Sequence, residues 1–212
     1  MSDPRDDLIL RHGNASRVAH WAVALVFLVL FASGLALFHP FFYWLTALIG
    51  GGPLARFLHP LAGVALVLIF TPYAVGHLHD NRWLPADSAW LRSMASYMRN
   101  EDPDVGQTGK YNAGQKLMFW SILPIIAVLA ITGLTLWQPW FAHAFTAGTR
   151  RLTGLIHVVA AFIMFVGIGI HVYAAIWTRG SIHAMVRGTV TRAWARFHYP
   201  GWYREMTGRS ER

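Results

Sequence analysis

Cysteine is absent from this chain of 212 residues. Its absence excludes disulfides, thiolate-bound zinc, iron–sulfur clusters and covalent c-type haem attachment through the chain's own residues. Charge is scarce as well. Asp, Glu, Lys and Arg make up 13% of the residues, roughly half the share usual in a soluble domain. The opening stretch MSDPRDDLILRHGNASR has no apolar core ahead of a cleavage site. It does not read as a signal peptide, so the first apolar run is expected to stay as a membrane span. Internal repeats and low-complexity tracts are missing too. What is abundant is apolar: 55% of the residues are hydrophobic and ten are tryptophan. The expected class is an all-α integral membrane protein, with residues 1–212 forming one compact bundle.

Four apolar runs reach the roughly 20 residues needed to cross a bilayer. They cover about 18–38, 54–76, 116–137 and 150–177. Pro72 is expected to kink the second near its end, and Pro124 to interrupt the third. Trp21, Tyr43, Trp44, Tyr73, Trp120, Trp137, Trp140, Tyr173 and Trp177 stand at the ends of these runs. That is the aromatic belt of two membrane–water interfaces. The connection from His39 to Pro53 is short and apolar, and that from Gln138 to Thr149 is short. The one from His77 to Gln115 is long and polar, and a basic, polar tail covers 178–212. With four spans, every Lys and Arg except Arg56, Arg150 and Arg151 falls on one side. The positive-inside rule places that side, and both termini, in the cytoplasm. The formal charge of +8 is therefore a topology signal, and nucleic acid is not an expected partner.

Eleven histidines are present. His12, His39, His77, His79, His143, His183 and His198 fall in loops, tails or interfaces, where a solvated or interfacial ring is the simpler reading. His77 and His79 are two apart and do not share a helix face. His20, His59, His157 and His171 lie within the spans or at their edges. A histidine at membrane depth is costly and needs a partner. His157 and His171 are fourteen residues apart on the fourth run, a rise of about 21 Å that returns to nearly the same face. Depth matches His20 with His171 near the cytoplasmic side, and His59 with His157 near the outer side. Bis-histidine ligation of two b-type haems is the economical account. A flat macrocycle beside a helix needs small residues one turn either side of its ligand. The chain has Ser16 and Ala24, Ala55 and Gly63, Thr153 and Ala161, and Gly167 and Ala175 at those positions. Small residues also serve helix–helix seams. Histidines that relay protons in a channel or transporter, or that hydrogen-bond across the helices of a bare membrane anchor, are the alternatives of a different class.

Several longer pieces carry a family resemblance. They are Arg17-Val18-Ala19-His20-Trp21, Arg56-Phe57-Leu58-His59-Pro60, and Gly109-Lys110-Tyr111-Asn112-Ala113-Gly114-Gln115-Lys116. They continue with Ile156-His157, with His171-Val172-Tyr173-Ala174-Ala175-Ile176-Trp177, and with the tail from Trp194 to Glu205, which holds His198, Pro200, Trp202, Tyr203 and Arg204. Along nearly its whole length the chain resembles the gamma subunits of membrane-bound respiratory formate dehydrogenases, four-span di-haem cytochromes b. The resemblance implies His59 and His157 as axial ligands of an outer haem iron, and His20 and His171 as those of an inner one. It implies a quinone site beside the inner haem formed by Asn112, Gly114 and Gln115. Read without the resemblance, Tyr111 to Gln115 is a polar turn at a helix start. Its amides and glycine are able to meet a quinone carbonyl.

The resemblance further implies an iron–sulfur beta subunit and a catalytic alpha subunit as partners, in a trimer of heterotrimers. Electrons would pass from the periplasmic partner across the bilayer to menaquinone or ubiquinone, with formate oxidised on another chain. A cytochrome b of a hydrogenase or of another periplasmic oxidoreductase shares the span histidines but not the GKYNAGQK stretch or the tail. Where the family leads one to expect Trp-Arg-Pro after the third span, this chain has Trp137-Gln138-Pro139. Arg56, Arg150 and Arg151 remain as positive charges on that side.

Overall fold

In this computed structural model, residues 7–99 and 108–210 are described. Arg5 and Arg212, counted in the charge asymmetry, lie outside them. Among the described residues the fold is all-α apart from one short ribbon. Four helices are long and apolar enough to cross a membrane: α1 (Asn14–Phe38), α2 (Gly52–His77), α5 (Ala113–Leu136) and α6 (Ala147–Trp177). A helix satisfies every backbone N–H and C=O internally, which is what a hydrocarbon environment demands. Their side chains fit it too, since Leu25, Leu28, Leu68, Ile131, Phe162 and Ile170 are all exposed.

Each helix begins ahead of its apolar run, because the polar first turns Asn14–Arg17 and Ala147–Thr149 are helical without being apolar. Pro124 does not interrupt α5, and Pro60 and Pro72 lie inside α2. A proline in a spanning helix is tolerated where neighbours re-satisfy the freed carbonyl.

The chain forms two compact units. One comprises Val18–Val75 and Ser121–His171. It holds the connection after α1, a tight helix over Pro40–Ile49. His39 Nδ1 accepts a hydrogen bond from the Phe41 N–H at its start, and Gly50, at φ +90°, ends it. Only glycine takes that backbone conformation without strain.

The other unit comprises residues up to Arg17, Gly76–Trp120 and Val172–Arg212. It contains α3 (Pro85–Arg92), α4 (Met94–Met98), α7 (Ser181–Arg187), α8 (Arg192–His198) and α9 (Pro200–Ser210). Strand β1 (Leu8–Leu10) pairs antiparallel with β2 (Thr189–Thr191), placing Ile9 opposite Val190. The stretch expected as a polar tail is thus folded, with Ala184, Val190, Ala195, Tyr199 and Trp202 as its core. The Arg11 guanidinium lies 3.8 Å over the Tyr199 ring, between Trp194 and Trp202, and donates to the Lys110 carbonyl at 2.7 Å. Stacking on aromatic faces suits the weakly hydrated guanidinium.

Candidate functional site: facing histidine pairs and the start of α5

The helices bring the four span histidines together two by two. His59 of α2 faces His157 of α6, with ring centres 6.3 Å apart and planes at 68°. His20 of α1 faces His171 of α6 at 6.2 Å and 48°. His20, His59 and His157 are half-buried, and His171 is exposed. Among the described residues no hydrogen bond joins the rings of either pair.

That spacing is compatible with a shared metal. An imidazole nitrogen binds a first-row metal at about 2.0–2.1 Å, and the ring centre lies about 1.1 Å further back, so two opposed ligands set their ring centres roughly 6 Å apart. Neutral imidazole is a good iron ligand. Among the described residues no group of three or more His, Cys, Asp or Glu could hold a bare metal ion. Two axial imidazoles with the remaining positions left to a macrocycle is the haem arrangement. The residues present therefore fit haem.

The flanking small residues do not act alike. At Gly63, one turn after His59, an added Cβ would meet nothing within 4 Å. Ala55, one turn before, is fully buried. Ser16 is hydrogen-bonded to His77 Nε2 at 3.0 Å, and Thr153 donates to the Thr149 carbonyl at 3.0 Å. His77 is thus tied to α1 rather than solvated, and His12 is buried and stacked near Tyr111.

Two hydroxyls that sequence reasoning passed over touch the pair His59 and His157. Ser33 Oγ lies 2.8 Å from His59 Nδ1, and Thr132 Oγ1 lies 2.8 Å from His157 Nδ1. A hydroxyl in an apolar helix reads as a seam residue, so nothing local sets these two apart.

Asn112 immediately precedes α5, and Gly114 and Gln115 lie in its first turn. The Gln115 N–H donates to Asn112 Oδ1 at 3.0 Å, and the Asn112 N–H donates to Gln115 Oε1 at 3.0 Å. This reciprocal pair is a capping box, which satisfies two orphan donors of the helix start. The Tyr199 hydroxyl donates to the same Gln115 Oε1 at 3.2 Å. The side-chain oxygens are committed, and the two amide NH2 groups are the remaining donors. A Cβ on Gly114 would lie 3.4 Å from the Trp90 ring, so the glycine permits close packing there. Nearby, burial acts to raise the Asp80 carboxyl, but Lys110, at 2.6 Å, outweighs it and holds it below the usual carboxylate range. His198 is pushed below the usual imidazole value, first by burial and then by the Arg11 charge.

Residues 11–188 match the sequence family described as prokaryotic cytochrome b561. The chain belongs to that cytochrome b561 family. Its relatives include the nitrate-inducible formate dehydrogenase cytochrome b556 subunit of Escherichia coli strain K12, 39% identical over 202 residues that cover 95% of this chain and 93% of the relative. A second formate dehydrogenase cytochrome b556 subunit of the same strain is 38% identical over 208 residues, 98% of each chain. The formate dehydrogenase cytochrome b556 subunit of Haemophilus influenzae is 36% identical over 200 residues, 94% of this chain and 84% of the relative. Membership of the cytochrome b561 family implies haem b. With four spanning helices the chain is a multi-pass membrane cytochrome. Of the arginines on the sparsely charged side, Arg150 donates to the Ala142 carbonyl at 2.9 Å, while Arg56 and Arg151 are exposed.

Proposed function

We propose that this cytochrome is the di-haem b subunit of a respiratory formate dehydrogenase complex in the bacterial inner membrane, acting as one transmembrane domain over residues 1–212. The observation that carries the reading is the two pairs of opposed imidazoles, each pair at a spacing compatible with a shared axial metal. The similarity to formate dehydrogenase cytochrome b556 subunits supports the assignment of the complex.

His59 and His157 would hold the outer haem, and His20 and His171 the inner one. Bound there, haem supplies one-electron redox chemistry. α6 donates a ligand to each site, so a single rigid helix fixes the spacing of both along its axis. An iron–sulfur beta subunit on the periplasmic side would deliver electrons taken from formate by a catalytic alpha subunit. This chain has no cysteine with which to build such clusters.

Menaquinone or ubiquinone would accept two electrons and two protons at the cytoplasmic side. The NH2 groups of Asn112 and Gln115 would donate to its carbonyl oxygen, with Gly114 on the same turn. Proton uptake from the cytoplasm makes the transfer charge-separating. Both termini would be cytoplasmic, and the complex would assemble as a trimer of heterotrimers.

Spectroscopy of the purified complex tests this reading. A b-type reduced-minus-oxidised spectrum is expected, with about two haems per cytochrome chain on extraction. His59→Ala should lose one haem and leave the other. A colourless chain, or a His59 variant that keeps both haems, would overturn the ligand assignment.

A further inference from the structure

The reading of His59 and His157 as ligands leaves open what holds each ring in place. A histidine offers two nitrogens, and only one tautomer presents Nε2 with its lone pair free. Ser33 Oγ is 2.8 Å from His59 Nδ1 and also lies 2.7 Å from the Val29 carbonyl, one turn back on α1. Thr132 Oγ1 repeats the pattern on α5, 2.8 Å from His157 Nδ1 and 2.6 Å from the Val128 carbonyl. A hydroxyl has one proton. A carbonyl can only accept, so both contacts are satisfied together only when the hydroxyl gives that proton to the carbonyl. The hydroxyl oxygen then accepts from the ring, and Nδ1 must carry the hydrogen. Nε2 of both rings is left as the free ligand atom.

The residue after each hydroxyl completes the arrangement. A Cβ on Gly34 would come within 3.2 Å of His59 Cε1, and one on Gly133 within 3.4 Å of His157 Cε1. Each ring edge therefore lies against a glycine backbone while its Nδ1 is held by the preceding hydroxyl. The inner pair lacks this device on at least one side. The buried Nδ1 of His20 has no hydrogen-bond partner among the described residues.

We propose that Ser33 and Thr132 are positioning residues that fix the tautomer and ring orientation of His59 and His157, so that the outer haem alone is ligated by two hydroxyl-held imidazoles. The support comes from α1 and α5, the helices that carry neither of those ligands. A hydrogen bond from Nδ1–H to an acceptor raises the basicity of Nε2 and favours the ferric state. Losing it should raise the midpoint potential of the outer haem.

The test uses the whole complex carrying Ser33→Ala, Thr132→Val or Thr132→Ser, with His59→Ala identifying which spectral component is the outer haem. Haem content, redox titration of each component and the low-spin ferric resonance are measured together. Ser33→Ala and Thr132→Val are expected to shift the outer midpoint upward and move its resonance, with the inner component unchanged. Thr132→Ser should keep the original values. Should Thr132→Val instead shed the outer haem while Thr132→Ser retains it, the hydroxyl is still shown to be required. Two unmoved components in both hydroxyl-free variants, or equal effects of Val and Ser at 132, would overturn the proposal. Neither result touches the ligand assignment, which stands or falls on the haem lost in His59→Ala.

Discussion

Lys116 is counted from the sequence among the cytoplasmic charges, and it is one of the most deeply buried side chains in its unit. Its ammonium donates to Asp87 Oδ2 at 2.7 Å and to the Arg82 carbonyl at 2.8 Å, with both partners of the ion pair 1% exposed. The same Asp87 Oδ2 also accepts from the Leu84 N–H at 2.6 Å, so this one oxygen joins the start of α3 to the start of α5. Removing one partner of such a pair strands a charge without water, at a cost of about 3–5 kcal/mol. Asp87→Asn and Lys116→Met should each lower the thermal midpoint of the detergent-solubilised chain markedly. The double variant should lose less than the sum of the two, and strict additivity would show that the pair is not coupled. Neither the pair nor the contacts of Ser33 and Thr132 could be read in advance. Each joins residues more than twenty positions apart, and a lone polar residue names no partner. The four span histidines were legible because a titratable ring at membrane depth is anomalous by itself.

Among elements, α5 is the instructive one. It is the spanning helix without a histidine, yet Thr132 and Gly133 support His157, and its first turn holds Gly114 and Gln115 behind the capping Asn112. Its length was legible from the apolar run, and Tyr111 to Gln115 was legible as a polar turn at a helix start; what was not legible is the reciprocal cap between Asn112 and Gln115 that holds it. Ser33-Gly34-Leu35-Ala36-Leu37 of α1 and Thr132-Gly133-Leu134-Thr135-Leu136 of α5 follow one pattern. That likeness was in the sequence, but gained meaning only when each hydroxyl was found beside an imidazole. The cap and the proposed quinone contact at Asn112 use different atoms and can be separated. Asn112→Asp keeps the capping oxygen and replaces the NH2 donor. It should leave the unfolding free energy within about 0.5 kcal/mol of the parent, since Asn and Asp cap almost equally, and should sharply reduce quinone reduction by the complex. Asn112→Ala should lose both, with about 1 kcal/mol for the cap. Full quinone turnover in Asn112→Asp would remove this residue from the quinone site.

At the scale of the molecule, the two compact units divide the charge. The unit of residues 18–75 and 121–171 contains no Asp or Glu, and its only Lys or Arg residues are Arg56, Arg150 and Arg151. The other unit holds every carboxylate side chain and the remaining basic residues. The sequence announced this asymmetry as a topology signal. It did not announce that the basic part is folded, because that core depends on pairing Ile9 with Val190 and on Arg11 stacking over Tyr199. A charged unit with its own aromatic core has no place in hydrocarbon, whereas the acid-free unit does. The proposed orientation follows, with the charged unit retained in the cytoplasm by the positive-inside rule. A fluorescent protein fused after Arg212 should therefore fluoresce, and one placed in the connection between α1 and α2 should not, because it folds poorly after export. A periplasmic phosphatase at the same two positions should give the opposite pattern. Phosphatase activity from the C-terminal fusion would invert the topology. The quinone turn would then lie on the periplasmic side, and electron flow through this chain would no longer separate charge in the proposed direction.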